Sequence, residues 1–238
     1  MKIDILTLFP EVVEAVLGSS IIGRGREKGL LTIGAHNIRD YTTDRHGRTD
    51  DYPYGGGRGM VMQCEPLYRC LEAVTGGEPV HTVMMSAQGA PFDQQKAREL
   101  LARGRFVIIC GHYEGIDRRF IDRCVDEEIS LGDFVLTGGE IAAMAVADAV
   151  CRMVPGVLAE DVCFTEESHY AGLLEYPQYT RPEEWRGARV PDVLLSGHHL
   201  NIEKWRRRQS LLLTRDRRPD MFEKLSLTRE DEKLLKED

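Results

Sequence analysis

The run Leu131-Gly132-Asp133-Phe134-Val135-Leu136-Thr137-Gly138-Gly139-Glu140 combines glycines, acids and apolar side chains between a strand-like segment and a helix-like one. Glycine lets backbone N–H and C=O groups come close to a ligand, so a loop of this make-up in an α/β chain reads as a small-molecule site. Two further glycine-bearing stretches, Gln88-Gly89-Ala90-Pro91 and Gly111-His112-Tyr113-Glu114-Gly115-Ile116-Asp117, also follow apolar runs. A different chemistry stands between Lys204 and Arg218, where seven basic residues face the single acid Asp216. That excess is a footprint for phosphate, although a basic helix is also an ordinary solvated face. The standard nucleotide templates are absent. There is no G-x-x-x-x-G-K-[ST] run, and no G-x-G-x-x-G follows the first strand with an acid about 20 residues on.

The elements that must position these groups follow from periodicity. Ile3 to Leu8 alternates as a strand, and Pro10-Glu11 opens a helix that Gly18 stops. Gly23 to Gly29 reads as a flexible basic turn, and Leu30 to Ile33 as a second strand. Asn37 to Gly59 shows no period, and a loop this long in a compact domain is functional or disordered. Helices are expected over Glu65–Thr75, over a stretch capped by Asp93 and ending at Arg103, up to Cys124, and over Ile141–Val150. Strands near 80–86, 105–110 and 125–130 alternate with them, which predicts a parallel sheet with right-handed crossovers. Pro155-Gly156 breaks the last helix. The expected organisation is therefore a sheet domain over 1–158, a linker over 159–172 and a small, mostly helical unit over 173–238, with a basic helix from about His198 to Thr214. Thr228-Arg229-Glu230-Asp231 opens the closing helix as a capping box.

Composition narrows the class. With 238 residues, 42% hydrophobic and 29% charged, the chain can bury a core. No stretch approaches the about 20 apolar residues of a membrane span, and Asp4 and Pro10 interrupt the N-terminal apolar run, unlike a signal peptide. The six cysteines have no C-x-x-C spacing, which suggests free thiols in a reducing cytoplasm rather than disulfides or a zinc site. The net charge of −8 excludes a uniformly basic surface but not a local patch.

Four segments in order resemble one family: Tyr54-Gly55-Gly56-Gly57-Arg58-Gly59-Met60, Gly111 to Asp117, Ile129 to Glu140, and Tyr179-Thr180-Arg181-Pro182 followed by Leu194 to His199. Together they are similar to the bacterial tRNA (guanine-N1)-methyltransferases of the knotted methyltransferase class, over nearly the whole chain. The resemblance implies a homodimer, a deep trefoil knot in the sheet domain and a helical C-terminal domain that binds tRNA. It also implies methyl transfer from S-adenosylmethionine to N1 of the guanosine at position 37, beside the anticodon. By motif, the donor lies among Met85, Ser86, Ala87 and Gly89, then Gly111, Tyr113, Glu114 and Gly115, then Leu131, Gly132, Asp133, Phe134, Val135, Leu136, Gly138 and Gly139.

Guanine N1 carries a proton at neutral pH, so its methylation needs a base, a cation for the charge that moves onto O6, and alignment with the methyl group. The resemblance puts the base at Glu167, where the family has aspartate, with Glu166 as the neighbouring alternative. It puts Arg152 at O6 and Glu114 near the reacting end, with action through an Mg²⁺ held by two carboxylates as an option. Ala87 replaces a usual proline and Arg118 a usual glutamate. Arg45, His46, Asp50 and Tyr54 are the candidates for reading guanine edges; Lys204, Arg206, Arg207 and Arg208 are the candidates for phosphate. Two other functions stay open here: a knotted enzyme acting on a ribose 2′-OH or another base, and an RNA-binding protein without catalysis.

Overall fold

The structure, a computed structural model, describes residues 1–160, 164 and 167–236. The chain divides into two compact units, Met1–Asp161 and Val162–Asp238.

The first unit is built on a parallel sheet of β1 (Lys2–Thr7), β2 (Thr32–Asn37), β5 (Thr82–Pro91), β6 (Arg105–Cys110) and β7 (Glu127–Ser130), in the order β2-β1-β6-β5-β7. The central strands β1 and β6 are buried at almost every position. This explains their unbroken apolar sequences, since helices cover both faces of a parallel sheet. On one face Leu6, Val107 and Ile109 pack with Leu67 and Cys70 of α3 (Cys64–Thr75) and Phe120 of α5 (Arg118–Cys124). On the other lie α1 (Pro10–Leu17), α4 (Gln94–Arg103) and α6 (Glu140–Cys151), with α1 and α4 each packed against α6. Asp93 starts α4 by accepting a hydrogen bond from the Lys96 amide at 2.8 Å.

Strand order sets the position of the site. From β5 the chain goes to β6 on one side, then returns across β5 to lay β7 on the other. The connections leaving β5 and β6 thus diverge, and such a switch point opens a crevice beyond the carboxyl ends of the strands.

Two expectations need correction. Gly23 to Gly29 is not a turn: most of it belongs to α2 (Ser20–Glu27). Gly25 is there for packing, because a Cβ on it would lie 2.8 Å from Leu31 Cδ1. The helix is then tied down by Arg26, which donates to Glu14 at 2.8 Å and to the Ile33 carbonyl at 3.1 Å. The long segment after Asn37 is also more ordered than its lack of period suggests. It holds a 3₁₀ turn, Ile38–Tyr41, and an antiparallel pair, β3 (Asp50–Asp51) with β4 (Val61–Met62).

The second unit contains a small antiparallel pair, Glu184–Trp185 with Ala188–Arg189, and the long helix His199–Arg217. The short helix Arg229–Leu234 packs on that long helix. Thr228 and Asp231 form the expected capping box. Asp231 does a second job: its buried carboxylate accepts from Arg207 Nε at 2.7 Å and Nη2 at 3.0 Å, locking the closing helix to the long one.

Candidate active site

Three loops converge at the carboxyl ends of β5, β6 and β7. In β5, Met85 and Ala90 share the partner Ile129, so Ser86 to Gly89 bulge out of the strand. Gly89 allows this, since a Cβ there would lie 2.5 Å from the Glu128 and Ile129 backbone. After β6, Gly111 to Gly115 turns back through Tyr113, whose φ of 58° is left-handed. After β7, Leu131 to Gly139 leads into α6. At Gly139 the backbones touch: its amide donates to the Gly111 carbonyl at 2.9 Å, and a Cβ would lie 2.7 Å from Cys110 Cα. The space between the loops is a cavity of about 420 Å³.

Of the residues expected to hold the donor, Met85, Ser86, Ala87, Gly111, Tyr113, Glu114, Gly115, Leu131, Gly132, Phe134, Val135, Leu136, Gly138 and Gly139 all line this cavity. Gly89 and Asp133 do not: Gly89 shapes the bulge from behind and Asp133 is exposed. The cavity is a slot of apolar side chains and backbone groups, sized for a nucleoside-bearing ligand. Arg118, one of the departures from the family pattern, sits on the lining and donates to Asp122 at 2.7 Å.

Glu114 lies where this slot meets the segment after Asn37. Its amide donates to the Met60 carbonyl at 3.0 Å, and Met62 runs alongside Ile116 as a parallel bridge. The Glu114 side chain rests against Gly59. Arg39 reaches Tyr113 Oη at 3.5 Å. The loop after β6, expected to hold the donor, and the segment expected to read guanine are therefore one connected structure. Within that segment Asp44 holds the backbone of His46 and the side chain of Arg48; those bonds keep its carboxyl down at about 2. Arg45 donates to His46 Nε2 at 2.8 Å, Asp50 sits on β3, and Tyr54 is fully exposed.

A buried network beneath the slot was not anticipated from the sequence. Glu140, in the first turn of α6, accepts from Thr7 Oγ1 at 2.6 Å and from His112 Nε2 at 2.7 Å. It joins the ends of β1 and β6 to the start of α6. Gly138 lacks a side chain because His112 and the Glu140 carboxylate occupy that space. The available signal was an acid opening an otherwise apolar helix, where the helix dipole favours a negative charge. Burial, and secondarily the charge of Glu140, raise the Cys110 thiol well above its ordinary range, so it is an inert core group. Cys64, Cys70, Cys110, Cys124 and Cys151 are all free thiols.

The residues expected to act on the base fall in both units. Arg152 follows α6 as its C-cap in the first unit. Glu167 is half-buried in the second, and Glu166 lies outside the described residues. On the long helix of the second unit Lys204 is exposed, while Arg207 is held by Asp231 and Arg208 Nε donates to the Leu234 carbonyl at 3.0 Å. Arg206 lies over the Tyr176 ring, 4.8 Å from its centroid. Among the described residues, no group of three or more His, Cys, Asp or Glu is placed to hold a metal ion. Among the same residues, no helix is long and apolar enough to cross a membrane.

A parallel α/β unit with a backbone-lined slot at its switch point, followed in the chain by a smaller, arginine-rich unit, defines the class: a two-unit α/β protein with a crevice for a small molecule. The comparisons with known proteins narrow this. Residues 1–224 match the family described as tRNA (Guanine-1)-methyltransferase TrmD. A tRNA (guanine-N(1)-)-methyltransferase of Clostridium acetobutylicum is 55% identical over 99% of this chain and 96% of its own length. Proteins of the same name from Clostridium perfringens strain 13 and Pelotomaculum thermopropionicum are each 56% identical, over 99% and 100% of this chain and 99% and 96% of their own lengths. The chain belongs to the tRNA (guanine-N1)-methyltransferase family.

Proposed function

We propose that this chain transfers the methyl group of S-adenosylmethionine to N1 of guanosine 37 of tRNA, in the cytoplasm and as a homodimer. The observation that carries the reading is the slot of about 420 Å³ between three glycine loops, with Glu114 and the segment after Asn37 at its mouth. The family match over residues 1–224 supports S-adenosylmethionine as the ligand of that slot. When bound, S-adenosylmethionine supplies an electrophilic methyl on a sulfonium that departs as a neutral thioether.

The chain's own groups do the rest. Glu167 takes the N1 proton, which frees the lone pair that forms the new N–C bond. Arg152 donates to O6, where the resulting charge accumulates. The glycine loops fix the donor by backbone contacts, and Glu114 orients the reacting end. Asp50, Arg45, His46 and Tyr54 read guanine edges, and the second unit grips the tRNA. The Gly139–Gly111 hydrogen bond, which brings the loops after β6 and β7 together, is compatible with the expected trefoil knot.

Dimerisation is supported by exposed apolar residues on two neighbouring helices: Val12 and Val16 on α1, and Ile141 on α6. A second copy is the natural cover for such a patch. Sedimentation at micromolar concentration should give a dimer, and a monomer would refute that part of the reading. For the reaction, the protein is incubated with labelled S-adenosylmethionine and unmodified tRNA, and the RNA is digested for mass spectrometry. The expected product is N1-methylguanosine in the fragment that carries position 37. A methylated ribose, or label at another site, would overturn the assignment.

A further inference from the structure

The second unit has a cavity of its own, about 540 Å³, lined by Tyr176, Tyr179, Trp205 and Arg206 among others. The rings of Tyr179 and Trp205 form an open V, with centroids 6.2 Å apart and planes at 55°. Tyr179 is half-exposed, and Trp205 keeps part of its surface in solvent. Arg206 lies over Tyr176, 4.8 Å from the ring centroid, and its Nε is buried without a hydrogen-bond partner. A buried donor with no acceptor is costly, so it marks a place where an acceptor is missing. Two π surfaces, a stacked guanidinium and an orphaned donor are the features of a site for an unstacked nucleobase.

We propose that this cavity holds one flipped-out base of the tRNA, packed on Trp205 and Tyr179, with a carbonyl or ring nitrogen of its edge accepting from the Arg206 guanidinium. The proposal rests on the reading of the chain as a tRNA methyltransferase and adds a second base contact remote in sequence from the slot. A phosphate is the poorer occupant. Arg181 lines the same cavity and Glu183 is paired with Arg189 at 2.7 Å, so charge alone does not exclude an anion; the aromatic faces of Tyr179 and Trp205 decide for a base, since they give a phosphate no contact. Arg206 therefore differs from its neighbour Lys204: it contacts a base, whereas Lys204 contacts backbone.

The chain has only two tryptophans. Trp185 is largely exposed and lies outside the cavity lining, so Trp185→Phe leaves Trp205 as the sole reporter. Unmodified tRNA should quench Trp205 emission in that background. Tyr179→Ala and Arg206→Met should each raise the tRNA KM roughly 5- to 100-fold, as the loss of one base–aromatic stack does. Both should keep kcat at saturating tRNA and the KM for S-adenosylmethionine. Trp205→Phe, which keeps a smaller ring, should raise the tRNA KM less than Trp205→Leu does. Unmoved emission together with unchanged tRNA KM values would overturn the proposal. So would loss of the dimer in Tyr179→Ala, which would make the cavity a packing surface between copies. If the wild-type protein fails to methylate tRNA, the functional reading falls instead, and the Trp205 titration still reports whether the cavity meets RNA.

Discussion

The three-loop slot and the second unit are built in opposite ways. Around the slot the contacts are made by backbone: Gly139 touches Gly111, Gly89 lets β5 bulge, and buried Glu140 ties three element ends together. In the second unit they are made by the far ends of long side chains: Arg207 on Asp231, Arg206 on Tyr176, Arg208 on the Leu234 carbonyl. Backbone-built sites are rigid and tolerate little added volume. Side-chain-built sites depend on charge and can be loosened by pH or salt. Substitutions in the two regions should therefore differ in kind as well as size.

The largest effect is expected at the residue proposed as the base. Glu167→Gln keeps the size and polarity of the side chain but removes the base, so kcat should fall roughly 10²- to 10⁴-fold. Binding of S-adenosylmethionine, measured by calorimetry, should be unchanged, because the slot lies in the first unit. An undiminished rate would move the base away from Glu167, with Glu166 the next position to replace.

Next comes a paired test of rigidity. Gly139→Ala places a methyl 2.7 Å from Cys110 Cα, a backbone atom that cannot step aside. It should cost about 1–3 kcal/mol and weaken S-adenosylmethionine binding markedly. Gly197→Ala has open space around it and only the strain of a φ of 69°, so it should cost about 1 kcal/mol. Donor binding in that variant should stay at the wild-type level. Equal loss of donor binding in both would erase the contrast between the two regions.

A pH titration probes the side-chain-built region. The Arg207 guanidinium holds the Asp231 carboxyl down at about 2, against an ordinary 3.8. A carboxyl whose folded value is depressed adds stability that is complete above its unfolded value and disappears as pH falls toward the folded one. The contribution of this pair should therefore fade between about pH 4 and pH 2 and amount to about 1–2 kcal/mol, given the exposed arginine. Denaturant melts of wild type and Asp231→Asn should differ at pH 6 and converge near pH 2.

What the sequence disclosed follows the same division. The sheet was legible because its strands are unbroken apolar runs. The slot was legible because glycines at successive strand ends have few other reasons to recur. The helix over Gly23 to Gly29 was hidden, since two glycines suppress helix propensity and only their packing against Leu31 and Gly18 accounts for them. Glu140 and His112 were invisible as a pair: 28 residues separate them, and only the fold brings them within 2.7 Å. The arginines between Lys204 and Arg218 looked alike in sequence, yet the structure gives Arg206, Arg207 and Arg208 three different partners. Composition records charge, whereas function depends on where each charge is already committed.

That last distinction yields the smallest and sharpest prediction. Exposed Lys204 is the member of the cluster best placed to meet a phosphate, and Arg207 is already engaged by Asp231. Replacing a residue that contacts one phosphate removes about one released counterion, so Lys204→Gln should flatten the slope of log K against log salt by roughly 0.7–0.9. Arg207→Gln should leave that slope at the wild-type value and lower the melting temperature instead, because the buried Asp231 loses its partner. A flattened slope in Arg207→Gln with full stability would show that the ion pair opens for RNA, and the second unit would then be a surface that rearranges on binding.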